Sequence, residues 1–297
     1  MQCSRCRDDS IILQPYSGQY LCRDHFVESI EKRVKRVIRC NQWVRPGDHI
    51  AVALSGDRCS SALLFFLKNL TRNRHNIKVS AIFLDTGSAM NPAMSHAEKA
   101  ARDLETEFHF GSLERELATG PYDHPHGRGR TDPCCICRPL RHALLRKIAG
   151  RIGATTLAIG YTLEDAAVAV LEAFVQGLPG SCNPMAAPGA SDEIPCISPF
   201  SAIPVGEVER YADLFGLGSA DPGSQHPDRT LHQELRFTMD AYTDNHPSAG
   251  YAVAHLGNAL GDYNTQHSHP IQYCFRPGES WGERCQDCSI LKWSALL

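Results

Sequence analysis

The sequence contains no apolar run near the ~20 residues that a membrane-spanning helix needs; the longest runs, 62–67 and 166–170, have the length of core segments. Its first residues, MQCSRC, are polar and lack the apolar segment of a secretory signal peptide. The cysteines cannot all pair within the chain, because their number, 13, is odd. These absences predict a cytoplasmic protein without membrane contact and favour metal ligation over a disulfide framework.

Charge is distributed unevenly along the chain, although the net charge is only −3. Residues 1–160 contain 24 Lys/Arg and 16 Asp/Glu, whereas residues 161–270 contain 3 and 14. This asymmetry favours a basic face for an anionic partner such as nucleic acid. Chance clustering of surface charge is the alternative interpretation.

Short apolar runs alternate with segments of helical spacing, which predicts an α/β fold with a parallel sheet. Ile50–Leu54 has the composition of a buried strand, and Lys78–Leu84 is the next strand along the chain. Residues 177–198 are predicted to be a loop, and residues 228–265 a helix that becomes irregular. A basic helix is predicted over 26–42, with Cys40 in the core. Further strands are predicted near 107–110 and 156–159, and further helices at 60–70, 92–104, 138–152, 163–175 and 205–215.

Two pairs of potential ligands near the N-terminus predict a zinc site. Cys3-x-x-Cys6 is followed by Cys22-x-x-His25. Each pair places two ligands on one side of a tight turn, and four N/S ligands satisfy tetrahedral zinc. Unmetallated thiols are the alternative.

Two turns that follow predicted strands carry the next candidate residues. Ser55–Ser61 is a turn of mostly small residues that opens a helix, so its backbone N–H groups point toward a possible anion site. Gly160–Asp165 (GYTLED) places carboxylates at a helix start. An ordinary strand–helix turn explains the first equally well, and helix capping by Thr162 explains the second.

Two further cysteine clusters are candidate metal sites. Cys134-Cys135-Ile136-Cys137 heads a basic helical stretch and fits a redox pair, a zinc knuckle or ligands of an iron–sulfur cluster. Near the C-terminus, Cys274, Cys285 and Cys288 supply three thiols. A zinc ion there needs a fourth ligand, for which His269 is favoured over His267, unless the cluster is an unmetallated remnant.

In this order, the motifs resemble the tRNA 2-thiolation enzymes of the TtuA type, in the PP-loop ATP pyrophosphatase superfamily. The N-terminal ligands match the family's first zinc knuckle, and Ser55–Ser60 matches its pyrophosphate loop. The sequence GYTLED at Gly160–Asp165 matches the family's GHNLDD motif. The resemblance implies a Rossmann-like PP-loop core over 27–265. Small zinc modules over 1–26 and 266–297 would flank it.

The resemblance also implies an activity: ATP adenylates a tRNA uridine and sulfur replaces the AMP, with a 4Fe–4S cluster carrying the sulfur. The implied catalytic residues are Cys134, Cys137 and Asp165. The cluster would be held by Cys134, Cys137 and Asp221, with Cys135, Cys182 and Cys196 as alternatives for the third ligand. The implied partners are tRNA, a ubiquitin-like sulfur carrier and a second copy of the chain. ATP and magnesium would be bound by Ala53, Leu54, Ser55, Gly56, Ser60, Ser61, Asp85 and Gly160.

Four positions depart from the family pattern. Asp57 replaces the second glycine of the pyrophosphate loop, Cys59 replaces its aspartate, Asp221 replaces the third cluster cysteine, and the second cysteine of the C-terminal ribbon falls near Pro277. The chain is therefore interpreted as a diverged paralogue. Two alternatives to the ATP-dependent thiolase follow: a non-catalytic RNA-binding or partner subunit, and a cluster protein that handles sulfur without ATP.

Overall fold

The computed structural model describes residues 1–73, 76–85, 92–113, 115, 133–176, 194–218 and 230–266, and for 133–140 and 261–266 it describes the backbone only. None of the helices in these ranges combines the length and apolar composition needed to cross a membrane. In chain order the elements are β1 (Ile12–Gln14), β2 (Gln19–Leu21), α1 (Arg23–Cys40), β3 (His49–Leu54), α2 (Arg58–Thr71), β4 (Lys78–Asp85), α3 (Pro92–Asp103), β5 (Glu107–Ser112), α4 (Pro133–Arg151), β6 (Thr156–Ala158), α5 (Leu163–Val175), β7 (Cys196–Ile197), α6 (Val205–Leu214), α7 (Leu231–Asn245) and α8 (Ala249–Gln266).

Five parallel strands in the described residues form the central sheet, in the order β5-β4-β3-β6-β7. The central strand β3 is buried along most of its length, as its continuous apolar run requires in a sheet covered on both faces. The predicted α/β fold with a parallel sheet is therefore confirmed. Strand order reverses between β3 and β6, and such a switch point opens a crevice at the carboxyl ends of the strands.

Helices cover both faces of the sheet. The larger core joins one face to the buried sides of α1, α2, α3 and α6. On the opposite face, Leu144, Leu145 and Ile148 of α4 pack against Ile82 and Leu157 of the sheet. Because α4 leads into β6, which is parallel to β3, the N-terminal end of α4 lies toward the carboxyl edge of the sheet.

The prediction that Cys40 lies in the core is wrong, because its side chain is exposed. Helix α1 buries Phe26, Ile30, Val34 and Ile38, which recur every four residues on one face. Two residues beyond Ile38, Cys40 is displaced by about 200° around the helix and faces away from the core. The predicted boundary between residues 26 and 27 falls inside this helix.

Two elements differ from the sequence predictions. The segment predicted to become irregular forms α7 and α8, which pack on α5 through Val168 and Met239. A capping box starts α7, since Thr230 and Gln233 exchange side-chain and backbone hydrogen bonds. Strand β7 lies inside the predicted loop, because two residues are too short to give a periodic signal.

A buried ion pair connects the N-terminal hairpin to the helices of the core. Glu207 on α6 is 5% exposed and pairs with Arg33 on α1. Gln14 Nε2 donates to the same carboxylate oxygen at 3.2 Å. Arg33 also donates to the Tyr251 hydroxyl at 3.3 Å and lies over the ring of Tyr16. The pair therefore joins β1, α1, α6 and α8.

Candidate functional site

Four potential metal ligands converge at the N-terminus. Cys3 and Cys6 precede β1, Cys22 is the N-cap of α1, and His25 lies in its first turn. Their ligand atoms all lie within 4.8 Å of one another. The Sγ of Cys22 is 3.2 Å from His25 Nδ1 and 3.6 Å from Cys6 Sγ, and Cys3 Sγ is 3.5 Å from His25 Nδ1.

These distances fit a tetrahedral zinc ion. Zn–S and Zn–N bonds of about 2.3 and 2.0 Å separate neighbouring ligand atoms by roughly 3.5–3.8 Å. The backbone N–H of Arg5 also donates to Cys3 Sγ at 3.4 Å, which stabilises negative charge on that sulfur. The structure thus brings together the four ligands that the sequence predicts for the first zinc site.

A second group of predicted residues meets at the carboxyl edge of the sheet, where strand order reverses. One turn leads from β3 into α2, and the other leads from β6 into α5. A Cβ atom on Gly160 would lie 3.0 Å from the backbone N of Ser60 and 3.1 Å from the carbonyl carbon of Cys59. The two turns are therefore in contact, and glycine allows that approach.

The turn after β3 is closed by the carboxylate of Asp57. Its Oδ1 accepts a hydrogen bond from the Ser60 N–H at 2.7 Å, and its Oδ2 accepts one from the Ser55 hydroxyl at 2.7 Å. Backbone N–H groups at a helix N-terminus are the donors that a bound phosphate uses. In this conformation the turn does not fit the polyphosphate of ATP, because the Asp57 carboxylate lies where a phosphate would bind.

The remaining residues predicted for nucleotide binding lie around this turn. Ala53 and Leu54 end β3, and Asp85 ends the neighbouring strand β4. Ser61 is 1% exposed, and its hydroxyl has no hydrogen-bond partner among the described residues. Gly56 has φ +81°, and a Cβ there would lie 2.4 Å from the Ala93 carbonyl oxygen, so this position requires glycine.

Both carboxylates of the GYTLED turn have partners. Asp165 Oδ2 accepts from the Thr162 N–H at 2.8 Å in a capping box, and its Oδ1 pairs with Arg236 at 2.7 Å. Glu164 Oε2 accepts from the Val205 N–H at 2.8 Å, at the start of α6. Burial raises the pKa of Glu164. The capping interpretation therefore holds for Asp165, but the carboxylate also carries an ion pair that capping does not need.

Arg236 is a residue that sequence reasoning missed. It lies on α7, 71 positions from Asp165 along the chain, and only the packing of α7 on α5 brings the two together. Its guanidinium also contacts Asp240 at 3.3 Å. Burial lowers the pKa of Arg236, but the charges of Asp165 and Asp240 outweigh this and raise it. No local sequence pattern marks this arginine.

Cys59, which replaces the family's loop aspartate, lies between these acidic groups. Burial raises the pKa of its thiol, and the charges of Asp57 and Asp165 raise it further. Cys59 is therefore a protonated thiol at neutral pH rather than a thiolate nucleophile.

The central cysteines lie within the first five residues of α4, toward the same edge of the sheet. Positions 134 and 137 are three residues apart in this helix, so they share a helix face. Of the alternatives, Cys196 is buried in β7 and its Sγ accepts from Arg146 Nε at 3.3 Å. The predicted ligands outside the described residues are Asp221, His269, Cys274, Cys285 and Cys288, together with the alternatives Cys182 and His267.

Comparison with known proteins finds relatives with similar sequences and a similar fold. Residues 2–27 match the family model for the N-terminal LIM domain of the 2-thiouridine synthetase TtuA. The chain is 25% identical to the tRNA 2-thiolation protein NcsA of Haloferax volcanii, over 98% of both chains.

The chain is similar to the tRNA 2-thiolation proteins of the TtuA and NcsA type.

Two further comparisons give the same result. The bovine cytoplasmic tRNA 2-thiolation protein 1 is 26% identical over 98% of this chain and 87% of its own length. The solved structure of the U34-tRNA thiolase NcsA from Methanococcus maripaludis, described with its 4Fe–4S cluster, superposes with a TM-score of 0.80 at 22% identity, covering 98% of this chain and 96% of that one. The fold of this chain is therefore similar to that of NcsA.

Proposed function

We propose that this protein is a cytoplasmic tRNA 2-thiolation enzyme that replaces the O2 oxygen of a uridine by sulfur. The observation that carries the proposal is the similarity to NcsA, which extends over 98% of both chains. The contact between the β3–α2 and β6–α5 turns supports it, because parallel α/β sheets bind their ligands at this kind of switch point.

The chemistry exchanges a C2=O group for a C2=S group. A sulfur at the oxidation level of sulfide forms the new C–S bond, and the oxygen leaves as water, so no net oxidation is required. In the proposal Cys134, Cys137 and Asp221 would hold a 4Fe–4S cluster. The chemistry that the cluster would supply is to carry the incoming sulfide.

The chain's own residues at the sheet edge would position the uridine. Asp165 is the proposed catalytic carboxylate, and its ion pair with Arg236 fixes it at the start of α5. Positions 134 and 137, at the N-terminal end of α4, lie toward the same edge. Positions 134 and 137 and the proposed carboxylate therefore belong to one end of the sheet.

The basic face of α1 is the proposed contact for tRNA phosphates. Lys32, Lys35, Arg36 and Arg39 are exposed and recur three to four positions apart, so they share one side of the helix. Lys35 also pairs with Glu31 at 2.6 Å. Phosphate contacts of this kind make the affinity for tRNA fall steeply as the salt concentration rises.

The proposal includes two further partners on the basis of the family resemblance. One is a ubiquitin-like sulfur carrier, and the other is a second copy of the chain in a homodimer.

A second candidate function is a non-catalytic tRNA-binding or partner subunit on the same fold. Two observations favour it: the Asp57 carboxylate closes the turn after β3, and Arg236 neutralises Asp165. Such a subunit would bind tRNA through α1 but would not thiolate it.

The test is a thiolation assay under anaerobic conditions. The protein is reconstituted with iron and sulfide and incubated with unmodified tRNA and sulfide, with and without ATP·Mg²⁺. Nucleosides are then analysed for 2-thiouridine by mass spectrometry. Variants C134A and C137A should lose product, whereas C40A, which changes an exposed cysteine of α1, should retain it. Binding of tRNA without any 2-thiouridine would favour the partner subunit.

A further inference from the structure

The turn between β3 and α2 has the shape of an anion site. Gly56 takes a positive φ and packs its Cα against Ala93, which bends the chain sharply after the strand. Helix α2 has 14 residues and begins at Arg58, so its N-terminal amide groups point into the turn. The turn lies at the switch point of the sheet, beside Gly160.

A side chain of the protein already occupies this anion site. Asp57 is the N-cap of α2, and its two carboxylate oxygens take the Ser60 N–H and the Ser55 hydroxyl, both at 2.7 Å. The Ser60 hydroxyl turns back to the Asp57 carbonyl oxygen at 3.2 Å. Asp57 therefore uses one helix N–H and one hydroxyl that an anion in this turn would otherwise accept from.

The surrounding charges also oppose a polyphosphate. Asp165 and Glu164 lie at the adjacent turn, and although Arg236 pairs with Asp165 at 2.7 Å, the charges of both carboxylates contribute to the raised pKa of Cys59. Arg58, the first basic residue of the turn, contacts Asp213 at 3.3 Å and Glu209 at 3.8 Å on α6. A triphosphate at this turn would meet the Asp57 carboxylate directly.

We infer that Asp57 is an internal anion that excludes polyphosphates from the β3–α2 turn, so that ATP binds only when this side chain leaves its hydrogen bonds. Asp57 is then a specificity-determining residue: it sets whether the protein uses ATP at all. The inference rests on the proposed function in one respect, because it takes the β3–α2 turn to be the turn that faces a nucleotide. ATP affinity is measured without tRNA, so its result is independent of the thiolation assay.

The experiment is calorimetric titration of the full chain with ATP·Mg²⁺. The wild-type protein should show no saturation at about 1 mM nucleotide, the upper end of common KM values. D57N removes the charge but keeps a good helix N-cap, and D57G restores an open turn. Each should bind ATP at least about tenfold more tightly than the wild type, a difference of ~1.4 kcal/mol.

Asp48 provides a matched control at the opposite edge of the sheet. Its carboxylate also accepts one backbone N–H, from Arg45 at 2.6 Å, and one hydroxyl, from Thr155 at 3.1 Å. D48N should leave ATP affinity at the wild-type value, and circular dichroism checks that each variant is folded. The inference is overturned if the wild type already saturates below about 1 mM ATP, or if neither D57N nor D57G gains affinity over the wild type.

Discussion

The buried pair between Arg33 and Glu207 gives a quantitative prediction about stability. Replacing Glu207 with Gln preserves the shape of the side chain but removes the charge that faces Arg33. The side chains of Arg33 and Glu207 are 25% and 6% exposed, so water replaces little of the lost interaction. Breaking a buried ion pair on one side costs roughly 3–5 kcal/mol. Because Arg33 keeps some access to water, we expect E207Q to cost about 3 kcal/mol.

A neighbouring glutamate on the same helix provides the control. Glu209 is 45% exposed and lies 3.8 Å from Arg58 in an exposed pair. E209Q should cost less than about 1 kcal/mol, the usual limit for surface ion pairs. Urea unfolding followed by circular dichroism compares the two variants, and the double change R33M/E207L should cost less than the sum of its single changes. Equal costs for E207Q and E209Q would refute this reasoning.

Two further predictions concern the cysteines. C22S should lower the zinc content by one ion per chain, because Cys22 Sγ lies 3.2 Å from His25 Nδ1 and 3.6 Å from Cys6 Sγ. Zinc is measured by mass spectrometry of metals, and the control C40S should retain it. An unchanged zinc content in C22S would contradict the site. At about pH 8 iodoacetamide should alkylate the exposed Cys40 well before Cys59. The reason is that burial and the charge of Asp57 raise the pKa of the Cys59 thiol. Equal alkylation rates in peptide mass spectrometry would rule out the acidic environment inferred for Cys59.

The sequence alone predicted the local parts of this protein. Apolar runs such as Ile50–Leu54 predicted the parallel sheet, because a strand buried on both faces needs continuous apolar residues. The spacing of Cys3, Cys6, Cys22 and His25 predicted ligands that the fold brings within 4.8 Å. Glycine at 56 and 160 indicated turns without showing what each glycine contacts.

Tertiary structure decided the interactions between residues distant in the sequence. Arg236 reaches Asp165 only because α7 packs on α5, and Arg33 meets Glu207 only because α1 and α6 share one core. The sequence showed that Asp57 replaces a glycine, but the fold decided where its carboxylate lies, on the Ser60 amide and the Ser55 hydroxyl. Helix and strand signals are local, whereas the partner of a charged side chain depends on which elements pack together.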